Sequence, residues 1–192
     1  MMTTAQPVTR SKRERLIEAA KAAFYQQGVA STTLADIAAR AEVPLGNVYY
    51  YFRTKDELLA AVIAAHLGGI RARFAQWDQD PRPRQRLVSW LQYERNGQTE
   101  LARYGCPCGS LGQEIDKQEA PARALAAQLL QVQIDWVADQ FRLLDKQSSE
   151  ASDLAVSLVA ALQGALLLSC SLRSPALLDH QIDRLQRWVM SL

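Results

Sequence analysis

The segment from Thr32 to Lys55 places the strongest constraint on the fold of this chain. Its apolar residues follow helical spacing in two short stretches, and Pro44 suits the first turn of the second stretch, where a missing N–H costs little. Thr33 is a good N-cap for the first stretch, and Asp36 three residues later completes a weaker form of a capping box. The segment therefore predicts two short helices joined by a tight turn.

The rest of the chain also predicts helices, because no run of alternating β-branched residues favours a strand. We expect further helices over residues 11–27, 55–77, 84–96, a short stretch from 110, 121–144, 148–171 and 175–192, with a turn at 104–109. Thr54 and Glu57 match a capping box that starts the helix at 55. The prediction is an all-α protein with a flexible tail at 1–9, a three-helix head at 10–54 and a helical body at 55–192.

Charge and cysteine content give weaker information about function. The chain carries 22 Lys and Arg against 20 Asp and Glu, and the small excess of positive charge lies in the N-terminal part. Residues 1–9 have no apolar core, so a secretory signal is not expected. Three cysteines do not make a disulfide framework. These features predict a cytoplasmic protein without a cofactor.

The predicted second short helix has the chemistry of a DNA-recognition helix. Val48 and Phe52 are four residues apart and point inward, which leaves polar and aromatic side chains on the other face. Phenolic hydroxyls and an ammonium group suit phosphate oxygens, and Gly46 allows the backbone to approach a base closely. An ordinary helical hairpin with partly buried tyrosines is the alternative. The candidate DNA contacts are Thr33, Pro44, Leu45, Gly46, Asn47, Tyr49, Tyr50 and Lys55.

Residues 11–57 resemble the DNA-binding head of the tetracycline-repressor (TetR) family of bacterial transcription regulators. The similarity runs through the sequences TTL..IA..A at 32–41, VPLGNVYYYF at 43–52 and KDELL at 55–59. Glu42, Leu45 and Tyr51 depart from the family pattern, and Glu42, in place of a turn glycine, is tolerable with a right-handed backbone. The resemblance implies a homodimer that binds a palindromic operator in duplex DNA, and a body that binds a small-molecule effector and dimerises.

No charged residue occurs between Leu154 and Leu172. A membrane span is the alternative for such a segment, but serine, glutamine and glycine dilute it and no aromatic belt flanks it. A helix that is apolar nearly all round is better explained by burial on two sides, in its own body and against a partner subunit. The resemblance places the dimer interface here. The candidate interface residues are Ala161, Leu162, Gly164, Ala165 and Leu168.

The body also offers aromatic and amide side chains for an effector pocket. Their composition suggests an apolar or aromatic effector, while ordinary core packing explains each of them equally well. The candidate pocket residues are Trp90, Tyr93, Tyr104, Leu111, Trp136, Phe141 and Gln163.

Cys106 and Cys108 flank Pro107 in the predicted turn. An accessible thiol with a lowered pKa beside a helix N-terminus would sense oxidants or electrophiles. Structural packing is the alternative, and a metal site is a third, although no further ligands follow at suitable spacing. The sequence as a whole predicts a ligand-responsive transcriptional regulator, expected to be a repressor released by a small molecule or an electrophile. The alternative function is a helical dithiol redox enzyme that uses Cys106 and Cys108.

Overall fold

A computed structural model describes residues 10–115 and 120–192, and over these residues the chain forms ten helices and no strand. The predicted all-α class is confirmed. The predicted tail at 1–9 lies outside the described residues. The helices are α1 (Lys12–Gln27), α2 (Leu34–Arg40), α3 (Leu45–Tyr51), α4 (Lys55–Trp77), α5 (Pro83–Asn96), α6 (Gln98–Tyr104), α7 (Pro107–Ile115), α8 (Ala120–Arg142), α9 (Ser148–Ser171) and α10 (Pro175–Ser191).

The chain divides into two compact units, Met1–Val62 and Ile63–Leu192. This division falls inside α4, whereas the sequence placed it before that helix. Leu58, Leu59 and Val62 are buried and belong to the first unit. The first turns of α4 are therefore part of the head, which a boundary drawn at a helix start misses.

Side-chain caps define the helix starts of the first unit. Thr33 and Asp36 form a complete capping box at α2, and Ser11 and Glu14 form another at α1 that the sequence analysis missed. At α4 the Thr54 hydroxyl accepts a hydrogen bond from the Glu57 amide at 3.1 Å. The Glu57 carboxylate reaches the Arg53 amide at 2.8 Å, one residue beyond the usual capping-box donor.

The turn between α2 and α3 corrects one expectation. Glu42 has φ +52°, which is a left-handed conformation and not the right-handed one that would make it easily tolerated. The Arg15 guanidinium holds this turn from α1, donating to the carbonyl oxygens of Ala41 at 2.5 Å and Glu42 at 2.9 Å. It also contacts the Glu42 carboxylate at 3.5 Å. A side-chain clamp therefore stabilises a turn that usually needs glycine.

The second unit differs from the prediction around residue 105. An additional helix, α6, ends at Gly105, whose φ of +82° suits glycine. The predicted turn at 104–109 is therefore wrong over most of its length, because α7 begins at Pro107 and not near Ser110. Proline is well suited to a first helical position, which explains this earlier start. In the folded unit α8 packs on α7 and α9, and α10 packs on α5, α6 and α9.

The helix α9 has two apolar faces. One face is buried within the unit, and its members are Ala151, Ala155, Leu158, Val159, Leu162, Ala165, Leu166 and Ser169. The other face exposes Val156, Leu167 and Leu168 on the helix and Leu172 just after it. By length and composition alone both α4 and α9 could cross a membrane, a test that core helices of water-soluble proteins also pass. The buried face of α9 explains much of its apolar character.

Candidate DNA-binding and effector sites

The recognition helix α3 presents the predicted face to solvent. Val48 and Phe52 are buried, whereas Tyr49 and Tyr50 are 53% and 82% exposed. Leu45 at the helix start is also exposed, at 43%. Two large aromatic side chains and a leucine on one short exposed helix are costly to leave in water without a partner, which marks the surface as a binding site.

The start of α3 allows close approach. Pro44 caps the helix from the preceding position, and Asn47 is half-buried with its amide donating to the Pro44 carbonyl at 2.8 Å. A Cβ built on the exposed Gly46 would meet no atom within 4 Å. The protein itself therefore has room for a side chain at Gly46, and glycine there leaves space for another molecule.

Two predicted phosphate contacts have structural partners inside the head. The Thr33 amide and hydroxyl both donate to the Asp36 carboxylate, at 2.9 and 2.6 Å. These two bonds hold the pKa of Asp36 below its ordinary value. The Lys55 ammonium donates to the carbonyl oxygens of Val29 at 2.9 Å and Thr32 at 3.3 Å. Both residues therefore stabilise the head, and the exposed tyrosines are better placed for phosphate.

A cavity of about 550 Å³ lies in the second unit, with walls from α6, α7, α8 and α9. Tyr104 and Gln163 are the two predicted pocket residues that line it. Its lining is mostly apolar, with the Arg123 side chain among the polar groups. The lining residues are Tyr104, Gly105, Cys106, Gly109, Ser110, Gly112, Gln113, Arg123, Ala126, Ala127, Leu130, Gln163, Gly164, Leu167 and Cys170.

The other predicted pocket residues lie elsewhere, which corrects that prediction. Trp90, Leu111 and Phe141 are buried core residues, and Trp136 stacks on Phe74 with ring centroids 4.3 Å apart. Tyr93 lines a separate, more polar groove between α4 and α5. Residue type alone does not distinguish a cavity wall from a core contact, since both favour aromatic side chains.

Cys106 directly precedes α7, and its thiol lines the cavity. The Gly109 amide in the first turn donates to its sulfur at 3.5 Å. Hydrogen bonds from the Cys108 thiol, the Gly109 amide and the Gln163 side chain lower the pKa of Cys106, against an opposing effect of burial. The pKa of Cys108 is raised well above its ordinary value, because its thiol donates to Cys106 and is itself buried. The two thiols therefore differ in charge state.

Two residues near these thiols were not predicted. Burial raises the pKa of Glu94 on α5 to about 8, and the neighbouring Cys106 adds to this while Arg73 opposes it. Cys170 on α9 also lines the cavity, and its sulfur lies 3.6 Å from the position of a Cβ built on Gly105. No sequence spacing connects residues on four different helices, so only the fold brings them together.

The candidate dimer residues do not share one face. Leu162 and Ala165 are buried in the core of their own unit, so these two cannot contact a partner as predicted. Gly164 lines the cavity, while Ala161 and Leu168 are exposed. The surface available to a partner is therefore the exposed side of α9. The correction reflects helix geometry, because adjacent positions point to different sides.

The fold and the exposed recognition helix define a helix-turn-helix DNA-binding protein. Residues 16–62 match the family model of bacterial regulatory proteins, tetR family, and residues 86–183 match that of the transcriptional regulator LmrA/YxaF-like C-terminal domain. The chain belongs to the TetR family of bacterial transcriptional regulators, as its sequence suggested.

Individual relatives agree with this assignment. An uncharacterized HTH-type transcriptional regulator from the lacX 3′ region of Lactococcus lactis subsp. lactis is 28% identical over 190 residues, 92% of each chain. The HTH-type transcriptional regulator TtgR of Pseudomonas putida is 53% identical over 51 residues, which are 27% of this chain and 24% of TtgR. The crystal structure of regulatory protein TetR from Rhodobacter sphaeroides is 25% identical with a TM-score of 0.80, covering 92% of this chain and 97% of that one.

The family assignment decides between the two functions expected from the sequence. Members of this family are transcriptional regulators and not enzymes, so the chain is a regulator and the dithiol redox enzyme is not supported. Family members bind DNA operators, dimerise and bind small molecules in general. Over residues 10–115 and 120–192, no three His, Cys, Asp or Glu side chains converge to hold a metal ion.

Proposed function

We propose that this protein is a cytoplasmic repressor that binds a palindromic operator as a homodimer and releases it when a small molecule occupies the α7–α9 cavity. The observation that carries the DNA-binding part is the exposed face of α3, formed by Leu45, Gly46, Tyr49 and Tyr50. Leu45 and the Gly46 backbone are placed to contact base edges, and the tyrosine hydroxyls to contact phosphates.

The exposed apolar side of α9 supports the homodimer. Leu168 and Leu172 are 51% and 63% exposed, and Val156 on the same helix is 52% exposed. Burying such side chains against a second copy removes apolar surface from water at roughly 25 cal/mol per Å². A two-fold pair of recognition helices then matches a two-fold operator, which explains why the family binds palindromes.

The size and lining of the cavity support an effector site. About 550 Å³ is within the range of small-molecule pockets, and the walls are mostly apolar with a few polar groups. Gln163 and Ser110 supply hydrogen-bonding groups, and Arg123 supplies a cation. This lining favours an apolar or aromatic effector that carries one or two oxygen atoms.

The test is selection of operator sequences from a random duplex library with the purified full-length protein. We expect enriched palindromes whose half-sites are about one helical turn apart, and an affinity that falls steeply with salt as phosphate contacts release counterions. Tyr49→Phe should weaken binding to the selected duplex without changing the selected bases, because it removes one hydroxyl from a phosphate contact. Tyr25→Phe is the matched control, since it removes a hydroxyl from α1.

Absence of any enriched sequence, or selection of an asymmetric site by a monomer, would contradict this proposal. A second measurement addresses the cavity. Gly112 lines the cavity and has no atom within 4 Å of a Cβ built on it, so Gly112→Phe should fill space without a clash at its own Cβ. This variant should bind the operator normally and resist release by effectors that act on the wild type.

A further inference from the structure

We propose that the cavity captures its effector covalently, by addition of the Cys106 thiolate to a small α,β-unsaturated carbonyl compound. This inference rests on the proposed function, because it concerns the same cavity. It assigns the nucleophile to Cys106, not to Cys108 or Cys170, and it names a chemical class of effector.

The geometry separates Cys106 from the other two cysteines. Its sulfur lines the cavity and receives the Gly109 amide from the first turn of α7, where the helix N-terminus favours negative charge. Gln163 reaches the same sulfur from α9, which gives the charged form donors from two helices. Cys108 is not among the cavity-lining residues and its thiol donates to Cys106, so Cys108 keeps its proton.

The cavity favours a carbon electrophile over a hydrophilic oxidant. Ala126, Ala127 and Leu130 of α8 form part of its wall, together with Leu167 of α9. Such a wall gains from contact with a carbon skeleton, whereas a peroxide would lose water without apolar contacts in return. The Ser110 hydroxyl and Gln163 amide are the cavity's hydrogen-bond donors for a carbonyl oxygen.

The addition is balanced without an oxidant or a leaving group. The Cys106 sulfur forms a bond to the β-carbon, and the π electrons of the carbon–carbon double bond move toward the carbonyl to give an enolate. The α-carbon then takes one proton from water, which leaves a neutral thioether. One thiol and one alkene are consumed, and no other atom is lost.

The adduct would change the contact between α7 and α9. A thiolate accepts strong charge-assisted hydrogen bonds, whereas a thioether sulfur is a weak acceptor. Alkylation therefore weakens the Gln163 bond that links the start of α7 to α9. Since α9 also carries the exposed side proposed for dimerisation, the event reaches that helix directly.

The experiment treats the full-length protein with N-ethylmaleimide and, in parallel, with its saturated analogue N-ethylsuccinimide. Intact mass and peptide mapping follow each cysteine over time in the wild type, Cys106→Ser, Cys108→Ser and Cys170→Ser. We expect Cys106 to be alkylated at least ten-fold faster than Cys108, Cys170 or glutathione, and Cys106→Ser to lose the fast reaction. Cys108→Ser should still be alkylated first at Cys106. Thermal unfolding of each variant checks its fold, and Cys106→Ala replaces any serine variant that unfolds.

Faster reaction at Cys108 or Cys170, or a Cys106 rate no higher than that of glutathione, would overturn the inference. Binding to a selected operator duplex separates it from the function beneath it. Alkylated wild type should lose at least ten-fold in affinity while treated Cys106→Ser does not, and equal release by N-ethylsuccinimide would favour a non-covalent effector in the same cavity. Unchanged affinity after alkylation would overturn the regulatory role of the adduct. Failure to bind any duplex, with selective alkylation intact, would refute the proposed function alone.

Discussion

The left-handed conformation of Glu42 permits a worked stability prediction. A non-glycine residue in this conformation costs roughly 1–2 kcal/mol, which glycine does not pay. Glycine gives back about 0.5–1 kcal/mol, because its unfolded chain has more freedom to lose. The Arg15–Glu42 ion pair is 3.5 Å long with the Glu42 side chain 88% exposed, so its contribution is less than about 0.5 kcal/mol. Glu42→Gly should therefore leave stability equal to the wild type or raise it by up to about 1 kcal/mol.

Glu42→Ala is the matched control for this prediction. It removes the same carboxylate but keeps the strained backbone, so it should be about 0.5–1.5 kcal/mol less stable than Glu42→Gly. The Arg15 bonds to the carbonyl oxygens of residues 41 and 42 survive in both variants. Urea unfolding of the three proteins measures the order. An alanine variant as stable as the glycine variant would refute the argument, because it would show that the turn carries no left-handed strain.

Three further predictions follow from the structure. Gly46→Ala should lower affinity for a selected operator at least ten-fold with no loss of stability, whereas Gly68→Ala, which also has open space around its Cβ, should bind normally in a titration. Because the folded-state pKa of Glu94 is raised to about 8, the folded protein holds a proton that the unfolded chain loses near pH 4.5, so stability falls across this window by up to about 1.4 kcal/mol per pH unit; Glu94→Gln should flatten that fall in unfolding measurements. Leu168→Glu should give monomers in sedimentation, whereas Leu143→Glu, at an exposed position just after α8, should sediment as the wild type does.

The head was predictable because its signals are local. The capping pair at Thr33 and Asp36 and the inward pair at Val48 and Phe52 lie within one helical turn each, so short-range spacing determines them. The roles of Thr33 and Lys55 were not predictable in the same way. Lys55 meets carbonyl oxygens more than twenty positions earlier in the chain, and no pattern on its own helix indicates that contact.

The body was predictable as helices but not as a site. Helical periodicity gives the lengths of α8, α9 and α10, yet it does not show which aromatic residues meet each other. Trp90 and Phe141 turned out to be core residues, while the cavity takes much of its wall from alanine and glycine. Small residues leave a space only when the helices around them are held apart by larger ones, which is a property of packing between helices.

The position of the cavity on α9 bears on how an effector could act at a distance. Gln163, Leu167 and Cys170 line the cavity, whereas Leu168 and Leu172 lie exposed nearby. One rigid helix therefore carries both the cavity wall and the surface proposed to meet a second subunit. A coupling of about 1–3 kcal/mol is typical between effector and operator binding. Loss of one charge-assisted bond at Cys106 is of that size, at about 1.5–3 kcal/mol, so a single adduct is sufficient without unfolding of the body.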